Sequence, residues 1–179
     1  MRLFHFSDRG DIRAFQPRPV EIPSDRKPGL EWLNGPLVWA IDECHQPLYL
    51  FPRDCPRILI WRVDGSTPED WIAWCGGGAA RMVAFVEGEW AEAIGHGSIY
   101  RYSLPSTEFR PLDDAGMWVS QRAVDPLSVD RIGDLPAALT AQDVDLRVID
   151  SLAVLAGAWS STLHASGIRL RNATTWPSR

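Results

Sequence analysis

Cysteine is scarce in this chain and unpaired in pattern. Cys44, Cys55 and Cys75 form an odd set among 179 residues, with no C-x-x-C spacing. That argues against a disulfide framework and for a reducing compartment. Long apolar runs are missing too. The opening MRLFHFSDRG holds no stretch of signal-peptide length, and nothing later approaches the roughly 20 apolar residues of a membrane span. The expectation is a cytoplasmic protein with no membrane partner. Basic excess is absent as well: 18 Lys and Arg stand against 23 Asp and Glu, for a net charge of −5. A non-specific nucleic-acid binder needs a basic face, so that class is disfavoured. The signatures G-x-S-x-G, H-E-x-x-H and G-x-G-x-x-G do not occur, and there are no repeats or low-complexity tracts.

What is present is an ordinary globular composition, 45% hydrophobic and 23% charged, with nine tryptophans. Tryptophan supplies core mass and one N–H donor, and often lines a concave site. The length suits one domain, over residues 1–167, followed by a tail, 168–179, that is expected to be partly disordered.

The chain opens on a strand, about Leu3 to Phe6. The following 9–35 segment, rich in Pro, Gly and charge, reads as a long surface excursion. PLVWAID is β-rich, while PLYLFP is too short to decide between a strand and a helical turn. RILIWRVDG is apolar on nearly both faces, as in a strand covered on both sides. In STPEDWIAWCGGG, Thr67 caps a helix, Pro68 fits its first turn, and the glycines end it. ARMVAFVEG is a strand, EWAEAIGHG a short helix stopped by Gly95, and SIYRYSLP a strand. GMWVSQRAVDPLSVDRIGD gives two strands joined near Asp125. DLPAALTAQ is a helix capped by Asp134, VDLRVID a strand, and SLAVLAGAWSSTLHASG a helix ended by Gly167. Clustered strands without βαβ alternation predict an α+β fold, with a mixed or largely antiparallel split sheet and short helices.

Several residues are candidates for chemistry. In the first strand His5 and Ser7 share a face. His5 reads either as a core histidine bonded to a backbone carbonyl or as a ligand contact in a cleft, with Ser7 beside it. In FPRDCPR, Arg53 and Arg57 on a proline-stiffened turn suit a carboxylate or phosphate clamp; equally, Asp54 pins the turn by pairing with one of them. Cys55 reads as a small buried hydrophobe rather than a nucleophile. His5, Cys44, His45 and Cys55 show no standard metal spacing. Glu89 favours the start of a helix. Trp118 and Ser120 share one strand face, where they serve either a planar ligand or the core.

LFHFSD, VWAIDECHQPLYLFPRDCPR, YRYSLPSTEFRPL and GMWVSQRAVDPLSV together resemble an uncharacterised family of bacterial domains of unknown function, over the chain to about Ile149. The order of a first-strand His, an aromatic-rich strand and VSQRAVDPLSV is also similar to the ADP-ribosyltransferase superfamily of His–Tyr–Glu type. That second resemblance implies His5 on the ribose of NAD and Tyr49, or else Trp39, on the nicotinamide. The late glutamate has no match, because Met117 and Trp118 stand there; Glu87, Glu89 or Glu108 would have to replace it. On this basis the expectation is an NAD- or nucleotide-binding domain. Its cleft is lined by His5, Ser7, Tyr49, Arg53 and Arg57, with Trp118 and Ser120 opposite, and its chemistry is ADP-ribosyl transfer or NAD hydrolysis. The rival expectation is a non-catalytic module for a protein or metabolite partner.

Overall fold

Ten short strands carry the architecture of the computed structural model, which describes residues 1–176 except Ser24 and Asp113. They are β1 (Leu3–Ser7), β2 (Val38–Asp42), β3 (Arg57–Trp61), β4 (Met82–Glu87), β5 (Ile99–Leu104), β6 (Arg110–Pro111), β7 (Met117–Ser120), β8 (Ser128–Ile132), β9 (Val144–Ile149) and β10 (His164–Ile168). The helices are α1 (Pro68–Cys75), α2 (Ala91–His96) and α3 (Leu135–Thr140), with several 3-10 turns. The fold is therefore α+β, with two sheets. A six-stranded sheet runs β6-β7-β2-β1-β5-β8, and a four-stranded one runs β10-β3-β4-β9. The described pairings are antiparallel except β4 with β9. No helix is long and apolar enough to cross a membrane among the described residues.

The chain divides into two compact units. The first is Met1–Gln46 with Tyr100–Arg131, and the second is Pro47–Ile99 with Ile132–Arg179.

In the first unit, Leu3, Val38, Ala40, Tyr102 and Leu104 of the sheet bury themselves with Phe15, Phe109 and Val124. Removing each such large side chain from water contributes about 1.5–3 kcal/mol. Phe15 comes from the long 9–35 excursion, which is a fixed cover. Its backbone bridges Val124, Arg18 bridges Leu37, and the Tyr102 hydroxyl donates to the Arg9 carbonyl while accepting from the Ile12 N–H. Apart from the 3-10 turn Glu31–Asn34, Pro and Gly keep this segment irregular, and it is anchored at such isolated points.

In the second unit, β3 and β4 are buried along their whole length. The helix α1 forms as its caps dictate: the Thr67 side chain accepts from the Asp70 N–H, Pro68 opens it, and Gly76 ends it at φ 66. The Asp134 side chain caps α3 in the same way. Other expectations are corrected. Gly95 lies inside α2, which is capped at Gly97 instead, where an added Cβ would collide with the Ala93 carbonyl oxygen. PLYLFP, which its sequence alone does not decide, takes the turn rather than the strand, beginning in the 3-10 turn Gln46–Tyr49. SLAVLAGAWSSTLHASG is no α-helix: Leu152–Ser160 is 3-10, and β10 follows it. The physical reason is period. Leu152, Leu155 and Ala158 recur every third residue, the repeat of a 3-10 turn, and all three are buried. Gly167 is then a strand residue, where an added Cβ would collide with the Leu170 side chain.

Candidate functional site

Strand register decides which predicted site residues meet. Partners across a ladder share a face. Leu3 pairs with Asp42, Ala40 with Trp118 and Val38 with Ser120, so His5, Ser7, Trp118 and Ser120 occupy one face of the six-stranded sheet. That face is largely filled. His5 lies against Phe15, ring centroids 4.6 Å apart, and its Nδ1 stands 2.8 Å from the Trp39 carbonyl oxygen. A carbonyl only accepts, so Nδ1 carries the proton in this bond. Ser7 is buried; its hydroxyl accepts from the Arg9 N–H and approaches Asp8. Ser120 is buried and turns the chain by accepting from the Arg122 N–H. Trp118 and Trp39 are half-buried, and the Trp39 indole N–H is buried without an acceptor among the described residues.

Tyr49, Arg53 and Arg57 belong to the second unit. Arg57 is buried, and its guanidinium donates to the Leu48 carbonyl at 2.7 Å and the Cys55 carbonyl at 2.8 Å. It lies over Tyr49 at 5.7 Å and Phe51 at 5.1 Å, and burial pushes its pKa down to about 10. Tyr49 and Arg57 are thus brought together, whereas Arg53 is exposed. The Asp54 carbonyl accepts from Asn172, and the Asp54 carboxylate faces Arg169 at 3.8 Å. Burial raises the Cys55 thiol to about 12. Of the carboxylates considered, Glu87 is buried and accepts from the Leu152 N–H, the Thr174 N–H and the Thr174 hydroxyl, tying in the described part of the tail. Glu89 is exposed in the 3-10 turn that precedes α2.

Within the first unit an open cavity of about 300 Å³ lies at the β6–β7 edge. Its apolar floor is Phe109 and Val119, its polar wall includes Ser120 and Gln121, and Arg110, Arg122 and Glu108 carry its charge. Arg110 sits 4.0 Å above the Trp32 ring, in van der Waals contact with it. Ser120 and Glu108 were legible as candidates. Arg110, Arg122 and Phe109 were not, because β6 is two residues long and gives no periodicity to read. The available signal was STEFRP and SQR, charged residues at the ends of β-rich runs.

A second polar cluster sits at the end of β2. Asp42 Oδ1 accepts from the His45 backbone N–H and lies 2.8 Å from His45 Nδ1, and Gly116 packs so closely on both that no side chain fits there. Among the described residues no three His, Cys, Asp or Glu side chains are grouped to hold a metal ion.

A family model described as a family of unknown function, DUF6886, matches residues 4–173, beyond Ile149 and through β10. No curated protein and no solved structure matches the chain. These comparisons lend no support to the resemblance to ADP-ribosyltransferases.

Proposed function

We propose that this chain, which belongs to the DUF6886 family of unknown function, binds a phosphate-bearing nucleotide in the cavity at the β6–β7 edge. One observation carries the reading: two guanidinium groups, a carboxylate, a buried serine and an aromatic floor line a single hollow of about 300 Å³. That volume lies at the lower end of small-molecule sites, which pair an apolar lining with a few placed polar groups. Guanidinium forks suit phosphate oxygens. Glu108 repels a phosphate and accepts from ribose hydroxyls instead. The local positive charge is compatible with a net charge of −5 because it is confined to this edge.

NAD enters this reading as a nucleotide whose adenylate half occupies the cavity. ADP-ribosyl transfer or NAD hydrolysis would rest on Glu108, the carboxylate of the lining. Glu108 is solvent-exposed, and an exposed carboxylate stabilises a developing cation weakly. Binding without chemistry is therefore the better-supported form.

The test is thermal unfolding with AMP, ADP-ribose and NAD. A ligand at 100 times its Kd stabilises the native state by about 2.7 kcal/mol. Arg122→Ala should abolish that shift and leave the unliganded protein within about 0.5 kcal/mol of wild type, since Arg122 is exposed. A panel that produces no shift overturns the reading.

A further inference from the structure

The nucleotide reading leaves open whether the cavity recognises only a phosphate or also the base. We infer that Arg110 and Trp32 form a stacking platform, and that the ligand is a nucleoside phosphate whose base lies on the outer face of the Arg110 guanidinium while Arg122 holds the phosphate. This inference rests on the nucleotide reading. Its observation is the 4.0 Å approach of the Arg110 guanidinium to the Trp32 ring, well inside the limit of about 6 Å for a cation over an aromatic face. With its central carbon that close over the ring, the guanidinium is covered by the indole on one side. Arg110 is nevertheless exposed and lines the cavity, so its opposite face is the one open to a ligand.

A guanidinium is planar and weakly hydrated, and a base stacks on it as on an aromatic ring. An ammonium group is compact and strongly hydrated and cannot serve in this way. The indole below holds the guanidinium in place, which lowers the ordering cost of binding. The two arginines thereby take different roles. Arg110 is engaged through its face, while Arg122 lies on the turn fixed by Ser120, whose hydroxyl accepts from the Arg122 N–H at 3.1 Å. Glu108, the last residue of the 3-10 turn Ser106–Glu108 that precedes β6, keeps the phosphate away from its own end.

The experiment compares AMP with ribose 5-phosphate by calorimetric titration, on the wild type, Arg110→Lys, Trp32→Leu and Arg122→Ala. Wild type should bind AMP about tenfold more tightly than ribose 5-phosphate, in keeping with a single stacked base. Arg110→Lys keeps the charge and should erase that preference while leaving ribose 5-phosphate affinity unchanged. Trp32→Leu should erode the same preference, so the inference stays falsifiable if one variant folds poorly. Arg122→Ala should weaken both ligands alike. Equal wild-type affinities, or an Arg110→Lys variant that weakens both ligands equally, overturns the platform and leaves the nucleotide reading standing. Binding of neither ligand by the wild type overturns the nucleotide reading itself, and the platform with it.

Discussion

His5 Nδ1 donates to the Trp39 backbone carbonyl across 2.8 Å, from the centre of β1 to the second residue of β2. The imidazole also packs on Phe15, which stands edge-on to Tyr102 at 5.2 Å. The histidine therefore joins two strands and the cover above them. The bond is part-buried; an acceptor left there without its donor costs about 1 kcal/mol or more, and the lost ring contacts add to this.

His5→Ala is accordingly expected to lower unfolding stability by about 2–3 kcal/mol in urea titration. The nucleotide-induced shift should persist, because His5 does not line the β6–β7 cavity. A variant that folds with wild-type stability but loses the ligand response would instead return His5 to the binding site.

Asp70 gives a pH dependence with a definite sign. Its Oδ2 accepts from the Thr162 hydroxyl at 2.6 Å and from the Thr162 N–H at 2.7 Å, and these bonds hold its pKa below the ordinary 3.8. A carboxyl whose folded pKa is depressed contributes stability above its unfolded pKa, and that contribution is lost as pH falls through the folded value. Asp70→Ala should therefore melt below wild type at pH 7. The gap between the two proteins should close as pH is lowered beneath 3.8. A gap that stays constant down the acid limb would mean that Asp70 acts through packing rather than charge.

Much of the second unit could be read in advance because its signals are local. Thr67, Pro68 and Asp134 mark helix starts by their own chemistry, and the unbroken apolar run in β3 announces burial on both faces. The 152–168 stretch misled because short apolar residues at every third position look helical until the period is set against 3.6. The first-unit cavity was only partly legible for another reason. Register sets Val119 opposite Arg110 across the β6–β7 ladder and so brings Ser120, on the other face of β7, to the same edge, and pairing between strands leaves no trace in either segment alone. FPRDCPR is legible only in part. Its charges suit either an anion clamp or an ion pair that pins the turn, and the placement of Arg57, which faces two backbone carbonyls inside the protein, depends on chain geometry rather than composition.

The three cysteines separate cleanly by environment, which yields a last prediction. Cys44 is exposed, and Cys55 and Cys75 are buried. Burial raises the Cys55 thiol to about 12, against the milder pull of Arg57, and the Cys75 thiol to about 11, against that of Arg147 and Arg62. Only a thiolate attacks a disulfide reagent, and it must also be reached. Native protein at pH 8 should therefore release one equivalent of chromophore from an aromatic disulfide reagent, and Cys44→Ser should release none. Raising the pH to 9 should leave Cys55 and Cys75 unlabelled, since both remain protonated as well as enclosed. In denaturing urea the wild type should release three equivalents. Rapid labelling of more than one thiol in the native protein would show that the clusters around Ile58 and Phe85, where Cys75 is packed, open far more readily than their burial implies.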